Sequence, residues 1–288
     1  MRQVAIIADS VATVPPEVAK EYDISLVPFH IVMDGTDYLD TTIDKEQLYA
    51  RIRSKENLPT TSPPSPAEFL EFFKRASQQA KAILVVTITS GYSQAYNSAL
   101  NAKKLAQEQL PNTTIEVLDS LTVVGGEMLI TIEAAKAASE GKSLPEVIEV
   151  ANRVKQCVSE LALRPSLFHF EHYGRTGKAK SWAKAAISTV TVLETSTASG
   201  GAAQPLFREK SPAKAVETTL NVIEERTKGK RLHAAITHVS VPDEAERLKK
   251  KLSSRFNLAD EIYVCEMPPI GTVLNGEGIV EVGFYSED

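Results

Sequence analysis

The sequence predicts a two-domain α/β protein. Residues 1–155 are expected to form a three-layer α/β/α domain on a parallel sheet, and residues 156–288 an α/β domain on a mixed sheet. Three observations carry this. Strand-length apolar runs alternate with helical patterns through the first half, which marks a parallel sheet covered on both faces. The runs at 4–8 and 83–86 show no polar alternation, as strands buried on both sides do. In the second half hairpin-like and crossover connections mix, so its strands run both ways. A chain of 288 residues, 43% hydrophobic and 24% charged, is long enough to bury a core for each domain.

Strand 4–8 ends in Asp9-Ser10, and Pro15-Pro16 starts a helix to Tyr22. Ile24–Val27 is the next strand. His30–Met33 and Thr36–Leu39 flank Asp34-Gly35, a hairpin signal because both turn positions favour positive φ. Asp44 caps a helix to Arg53, with Gln47 at the capping-box position. Thr61-Ser62 is expected in an extended loop held by prolines, followed by a helix with Ser65 as N-cap, Pro66 in its first turn and Glu68 closing the box. The buried strand from Ile83 then delivers Thr89-Ser90-Gly91-Tyr92-Ser93 to a helix running to about Leu110. Strand 114–118 ends in Asp119-Ser120, and helices follow over 123–139 and from Ser143 to Val158.

In the second half, strands are expected at 159–163, 190–195, 204–208, 232–239 and 261–266. Helices are expected at 167–173, around Trp182, at 212–227 and at 242–256, with a Gly-rich loop and a last strand closing the chain.

The net charge of −5 argues against a nucleic-acid binder, and the basic run at 247–251 is offset by Asp243, Glu244 and Glu246. Cys157 and Cys265 stand apart with no CxxC, as buried thiols in a reducing compartment do. The opening apolar run stops at Asp9, too short for a signal peptide, and no transmembrane segment is apparent, so a cytoplasmic location is expected.

The chemistry centres on small hydroxyl residues. A strand that delivers them to a helix N-terminus offers unpaired N–H groups and a positive dipole end to an anion. Thr61, Ser62, Ser90 and Ser93 all lie at such places in one domain, and Arg175 stands in a Gly-bounded turn. Hydroxyls with one guanidinium describe a carboxylate or phosphate site without a metal or redox centre. Asp9 and Asp119, at strand ends, are either ligand-facing or capping residues. Gly91-Tyr92-Ser93-Gln94-Ala95 approaches the GxSxG elbow of α/β-hydrolases, with Asp119 and several downstream His in reserve. The HGGG oxyanion loop is absent, so a Ser93-dependent acyl hydrolase is the alternative reading. His169 and His172 have a spacing that can ligate a metal on one helix face, but no third ligand suggests itself. No nucleotide-binding glycine motif is present.

Five segments, in order, resemble the DegV family of bacterial fatty-acid-binding proteins. IIADSVATV resembles the family's (V/I)TDSTADL, TTSPPSP its TSQPSP, and TSGYSQAYNSA its SSGLSGTYQSA. FHFEHYGRTGKA resembles YLKKGGRIGKA, and PPIGTVLNGEGIVEVGF resembles IGTHTGPGALGVGF. The resemblance covers essentially the whole chain and implies a DegV-like fold of the same two-domain kind. It implies a non-catalytic carrier that needs no cofactor. Such a carrier buries the tail of one long-chain fatty acid and presents its carboxylate to a fatty acid kinase for phospholipid synthesis. By motif position Thr61 and Ser93 would hold the carboxylate, with Ser62 adjacent and Arg175 nearby. A protein of this fold that binds another carboxylate is a further reading. Val273 stands where the family has His, which would remove one donor beside the carboxylate. Binding is therefore expected to vary little between about pH 6 and 8, and Val273→His to add a pH-dependent term.

Overall fold

A computed structural model describes residues 2–175 and 189–287; the helix expected around Trp182 lies outside them. The first half opens with β1 (Arg2–Asp9), α1 (Pro16–Tyr22) and β2 (Ile24–Val27). The Asp34-Gly35 hairpin joins β3 (His30–Met33) to β4 (Thr36–Leu39), with both turn residues at positive φ. Then come α2 (Lys45–Ser54), β5 (Thr60–Ser62), α3 (Pro66–Ser77), β6 (Ala80–Thr87), α4 (Ala95–Gln109) and β7 (Thr114–Asp119). The half ends with α5 (Val124–Ser139) and α6 (Leu144–Cys157). The expected caps form. Asp44 accepts from the Gln47 N–H, and Ser65 with Glu68 and Ser143 with Glu146 close capping boxes.

The second half holds β8 (Ser159–Arg164), α7 (Phe168–His172), β9 (Val190–Ser196), β10 (Gln204–Glu209), α8 (Pro212–Thr227) and β11 (Leu232–His238). It closes with α9 (Pro242–Arg255), β12 (Tyr263–Glu266), α10 (Pro269–Asn275) and β13 (Val280–Ser286).

Two sheets carry the architecture, and among the described residues no strand of either comes from the other's half. The first is all parallel in the order β2-β1-β6-β7. The second is mixed, β10-β9-β8-β13-β11-β12, with only the β11–β12 edge pair parallel. A small antiparallel sheet, β4-β3-β5, flanks the first.

Side-chain alternation assigns the layers. In the first sheet Ile7, Ile83 and Val85 pack on Phe69, Phe73 and the alanines of α3 and α4. Ile6, Leu84 and Val86 face the opposite way, onto α5 and α6. In the second sheet Val280, Val282 and Phe284 join Leu220, Ile223, Leu248 and Leu252 of α8 and α9, while Tyr285 and Ala235 face α5. Helix α5 is therefore covered on both sides, and thirteen of its sixteen residues are buried. That explains its lack of an amphipathic pattern.

Three expectations are corrected. Thr60–Ser62 is a strand paired with β3, because the proline-stiffened segment lies along an otherwise unpaired edge. The segment expected as a Gly-rich loop is helical over Pro269–Asn275, since proline at the first turn pre-sets φ and Gly271 packs on Met267, while the loop begins only at Gly276. Cys157, on the last turn of α6, is exposed rather than buried.

Two consequences are measurable. A Cβ at Gly283 would fall within contact distance of the Gly125 and Gly126 backbone and of a Glu160 oxygen. Gly283→Ala is thus expected to lower unfolding free energy by about 1–3 kcal/mol, read in urea melts, with a matching loss of Tm. The second concerns Asp9, which is fully buried at the end of β1. Burial outweighs its backbone hydrogen bonds and moves its pKa from 3.8 to about 7. Because the folded-state pKa is raised, its favourable contribution is complete below about pH 4 and is lost as pH rises toward 7. Stability of the wild type is expected to fall across that window relative to Asp9→Asn, which cannot ionise.

Candidate functional site

Three separated segments meet at the C-terminal ends of the first sheet, where open α/β sheets place ligand crevices. The first is the loop between β6 and α4. Asp9 accepts from the Ile88 N–H at 2.8 Å and from the Val11 N–H at 3.1 Å. Asp119 accepts from the Ser90 and Leu121 N–H groups, both at 3.1 Å. Both aspartates therefore fasten loops, which decides between the two roles open in the sequence. Thr89 donates through Oγ1 to the Gly201 carbonyl at 2.9 Å, tying this loop to the β9–β10 connection. A Cβ at Gly91 would stand 2.7 Å from that same carbonyl, so only glycine allows the approach.

Held this way, the loop presents Ser90, Ser93 and Gln94 to a cavity of about 350 Å³. Ser93 Oγ accepts from the Ala95 N–H at 3.1 Å, which leaves its own hydrogen free to donate. The second segment is β5, where pairing with Ile31 turns Thr61 into the cavity. Ser62, next along the strand, points to the opposite, exposed face and does not line it. The third segment follows α7. Gly174, at φ +68°, turns the chain so that the Arg175 N–H bonds the Phe170 carbonyl. Arg175 lines the cavity with Nη1 on the Tyr173 carbonyl at 3.1 Å, and its Nε has no partner among the described residues.

The Tyr173 hydroxyl donates to the Pro59 carbonyl at 2.6 Å, latching the arginine segment to the strand that carries Thr61. Burial pushes Tyr173 up to about 12, so it remains a neutral donor. No sequence signal marks this bond.

The other cavity walls are apolar, formed by Val11, Phe29, Ile88, Ile270 and Leu274. A narrow inner arm of about 40 Å³ continues past Tyr92 and Arg175 to Val123, Val124 and Phe170. Tyr92 packs edge-on to Phe170 at 5.7 Å and bonds Thr195 Oγ1 at 3.1 Å; burial raises its pKa to about 12. Val124 takes φ +30°, a costly conformation for a β-branched residue, of order 1–3 kcal/mol. Arg164, Asn275 and Glu281 also line this arm. The sequence reading passed over these three. Their signal was a charge interrupting an apolar strand, as Glu281 does between Val280 and Val282.

Val273 is fully buried beside Met267 and Ile270 in a core cluster and does not line the cavity; Ile270, Gly271, Leu274 and Asn275 form the cavity face of α10. A His there would enter apolar core rather than reach a ligand, so the expectation of a pH-dependent term from Val273→His is withdrawn. Among the described residues no His lines the cavity. His169 is buried against Gly276, and burial lowers its pKa, while His172 is exposed, so the two do not share a ligating face. Ser93 thus lacks a neighbouring imidazole among the described residues.

Elsewhere, Glu133, His233 and Asp260 converge near a second cavity of about 320 Å³. Lys136 donates to both carboxylates, at 2.8 and 3.1 Å, and neutralises the cluster as a cation would. None of the site residues expected from the sequence lies there.

A family model described as "Uncharacterised protein, DegV family" matches residues 3–287. A DegV domain-containing protein of Clostridium perfringens is 28% identical over 258 residues, covering 88% of this chain and 89% of the relative. One from Halalkalibacterium halodurans is 27% identical over 292 residues and covers both chains completely. The fold matches a Thermus thermophilus DegV family protein described by its fatty acid binding, with TM-score 0.90, 23% identity and complete coverage of both chains. It also matches a stearic acid-binding protein from Eubacterium ventriosum, with TM-score 0.88 and 22% identity over 99% of this chain and 98% of that one. With a family match running from residue 3 to residue 287, the chain belongs to the DegV family.

Proposed function

We propose that this protein is a non-catalytic carrier of a long-chain fatty acid, and that it presents the acid's carboxylate to a fatty acid kinase. One observation carries the reading. Thr61, Ser93 and Arg175, from three separated segments, line one cavity together with Ser90, Gln94 and the apolar side chains of Val11, Phe29, Ile88, Ile270 and Leu274. Thr61 and Ser93 donate to the carboxylate, and Arg175 supplies the positive charge that keeps it ionised. Ser62 stands beside the site on the outer face of the strand.

The fatty acids described for the Thermus and Eubacterium relatives support the same ligand class. A sixteen-carbon tail offers about 12 kcal/mol of gross burial at about 0.8 kcal/mol per CH₂, enough to hold the acid after immobilisation costs. The cavity opens at exposed Ser90 and Gln94, which suits hand-over to a second protein. A serine hydrolase would need a base beside Ser93, and none of the described residues supplies an imidazole there.

The site assignment is tested with Ser93→Ala and Thr61→Ala. Each removes a hydrogen bond to a charged group, worth about 1.5–3 kcal/mol, so Kd for a long-chain acid is expected to rise roughly ten- to a hundredfold with little change in Tm. Unchanged affinity in both variants would take these residues out of the site. The hand-over is tested by acyl-phosphate formation from a purified fatty acid kinase, expected only when the loaded carrier is present.

A further inference from the structure

Strands β8 and β13 turn Glu160, Arg164 and Glu281 to the same face, toward α5 and the cavity, since Leu161, Leu163, Val280 and Val282 occupy the opposite face. Arg164 and Glu281 are almost completely enclosed, with side chains 5% and 2% exposed. Arg164 donates from Nη1 to Asn275 Oδ1 at 2.6 Å and from Nη2 to Glu281 Oε1 at 3.1 Å. Its guanidinium lies 4.0 Å over the Phe170 ring. Of the five N–H donors a guanidinium carries, these bonds engage two, and Nε has no partner among the described residues. This group lines the arm with Val123, Val124, Phe170 and Leu274, and Tyr92 and Arg175 line it as well.

A saturated acyl tail ending here would press a methyl group against unmet donors of a buried cation, an arrangement that costs free energy. A neutral oxygen solves it, by accepting from Arg164 and, if it is a hydroxyl, donating to Glu281. A second carboxylate does not. Arg164 is already matched by Glu281 at 3.1 Å, so a further buried negative charge would lack a cation of its own. The arm's volume of about 40 Å³ suits the end of a chain, not its length.

We propose that Arg164, with Asn275 and Glu281, forms a second polar subsite that selects an acyl chain bearing a hydroxyl or other neutral oxygen away from its carboxylate. The proposal rests on the acyl-carrier reading above and names the substrate class within it.

The test is a Kd comparison on the intact protein among hexadecanoic acid, its ω-hydroxy and mid-chain hydroxy derivatives, and the corresponding diacid. At least one hydroxy acid is expected to bind about tenfold or more tighter than the plain acid, the diacid showing no such gain. In the double variant Arg164→Met, Glu281→Gln the preference is expected to vanish while the plain acid still binds. Equal or tighter binding of the plain acid by wild type overturns the subsite and leaves the carrier reading intact, water then meeting the free donors. Failure of every acid to bind overturns the carrier reading and the subsite together. The wild-type ranking decides the matter alone if the double variant does not fold.

Discussion

The fold depends on one close contact, the approach of the first turn of α5 to β13. Gly125 on the helix and Gly283 on the strand let backbone meet backbone, and the Gly126 N–H donates to Glu160 at 2.6 Å. Helix α5 also packs on β1 of the parallel sheet, so this contact fixes the distance between the two sheets. Without it a helix buried on both sides would have no unique depth, because its Val, Ile, Leu and Ala surface fits many registers. The cavity inherits its shape from this contact. Val123 and Val124, at the same end of the helix, wall the inner arm between the halves.

Charge is used sparingly and deeply in the same region. Asp9 and Asp119 hold the serine-bearing loop by its backbone, and burial, with both aspartates nearby, drives Glu127 well above the carboxylate range. Such groups are costly unless hydrogen-bonded or neutral. Here they replace the secondary structure that the loop lacks, leaving hydroxyls and one guanidinium pointed at the ligand space. A lipid headgroup site needs little more than this, because most of the binding energy comes from the tail.

Much of this was legible in the sequence because it is local. The Asp34-Gly35 turn, the Ser65–Glu68 and Ser143–Glu146 boxes and the buried strand before Ser90 are set by neighbours a few residues away. Thr61, Ser93 and Arg175 were found as motif positions, and the structure brings all three to one cavity. What was not legible depends on partners distant in the chain. The pairing of Thr60–Ser62 with β3 sends Ser62 outward, the packing of Pro269–Asn275 buries Val273, and the Tyr173 latch spans 114 residues. The Arg164–Glu281 pair spans 117 residues, so the charge of Glu281 inside an apolar strand marks a buried group without naming its partner.

The central claim is that the cavity closed by Thr61, Ser93 and Arg175 holds one acyl carboxylate with its tail inside. Native mass spectrometry of the intact protein purified from cells, before and after solvent extraction, tests it most directly. The expected result is one long-chain acid per chain, lost on extraction and regained on adding the acid, with no turnover. A bare protein mass that stays bare when long-chain acids are added would contradict the claim.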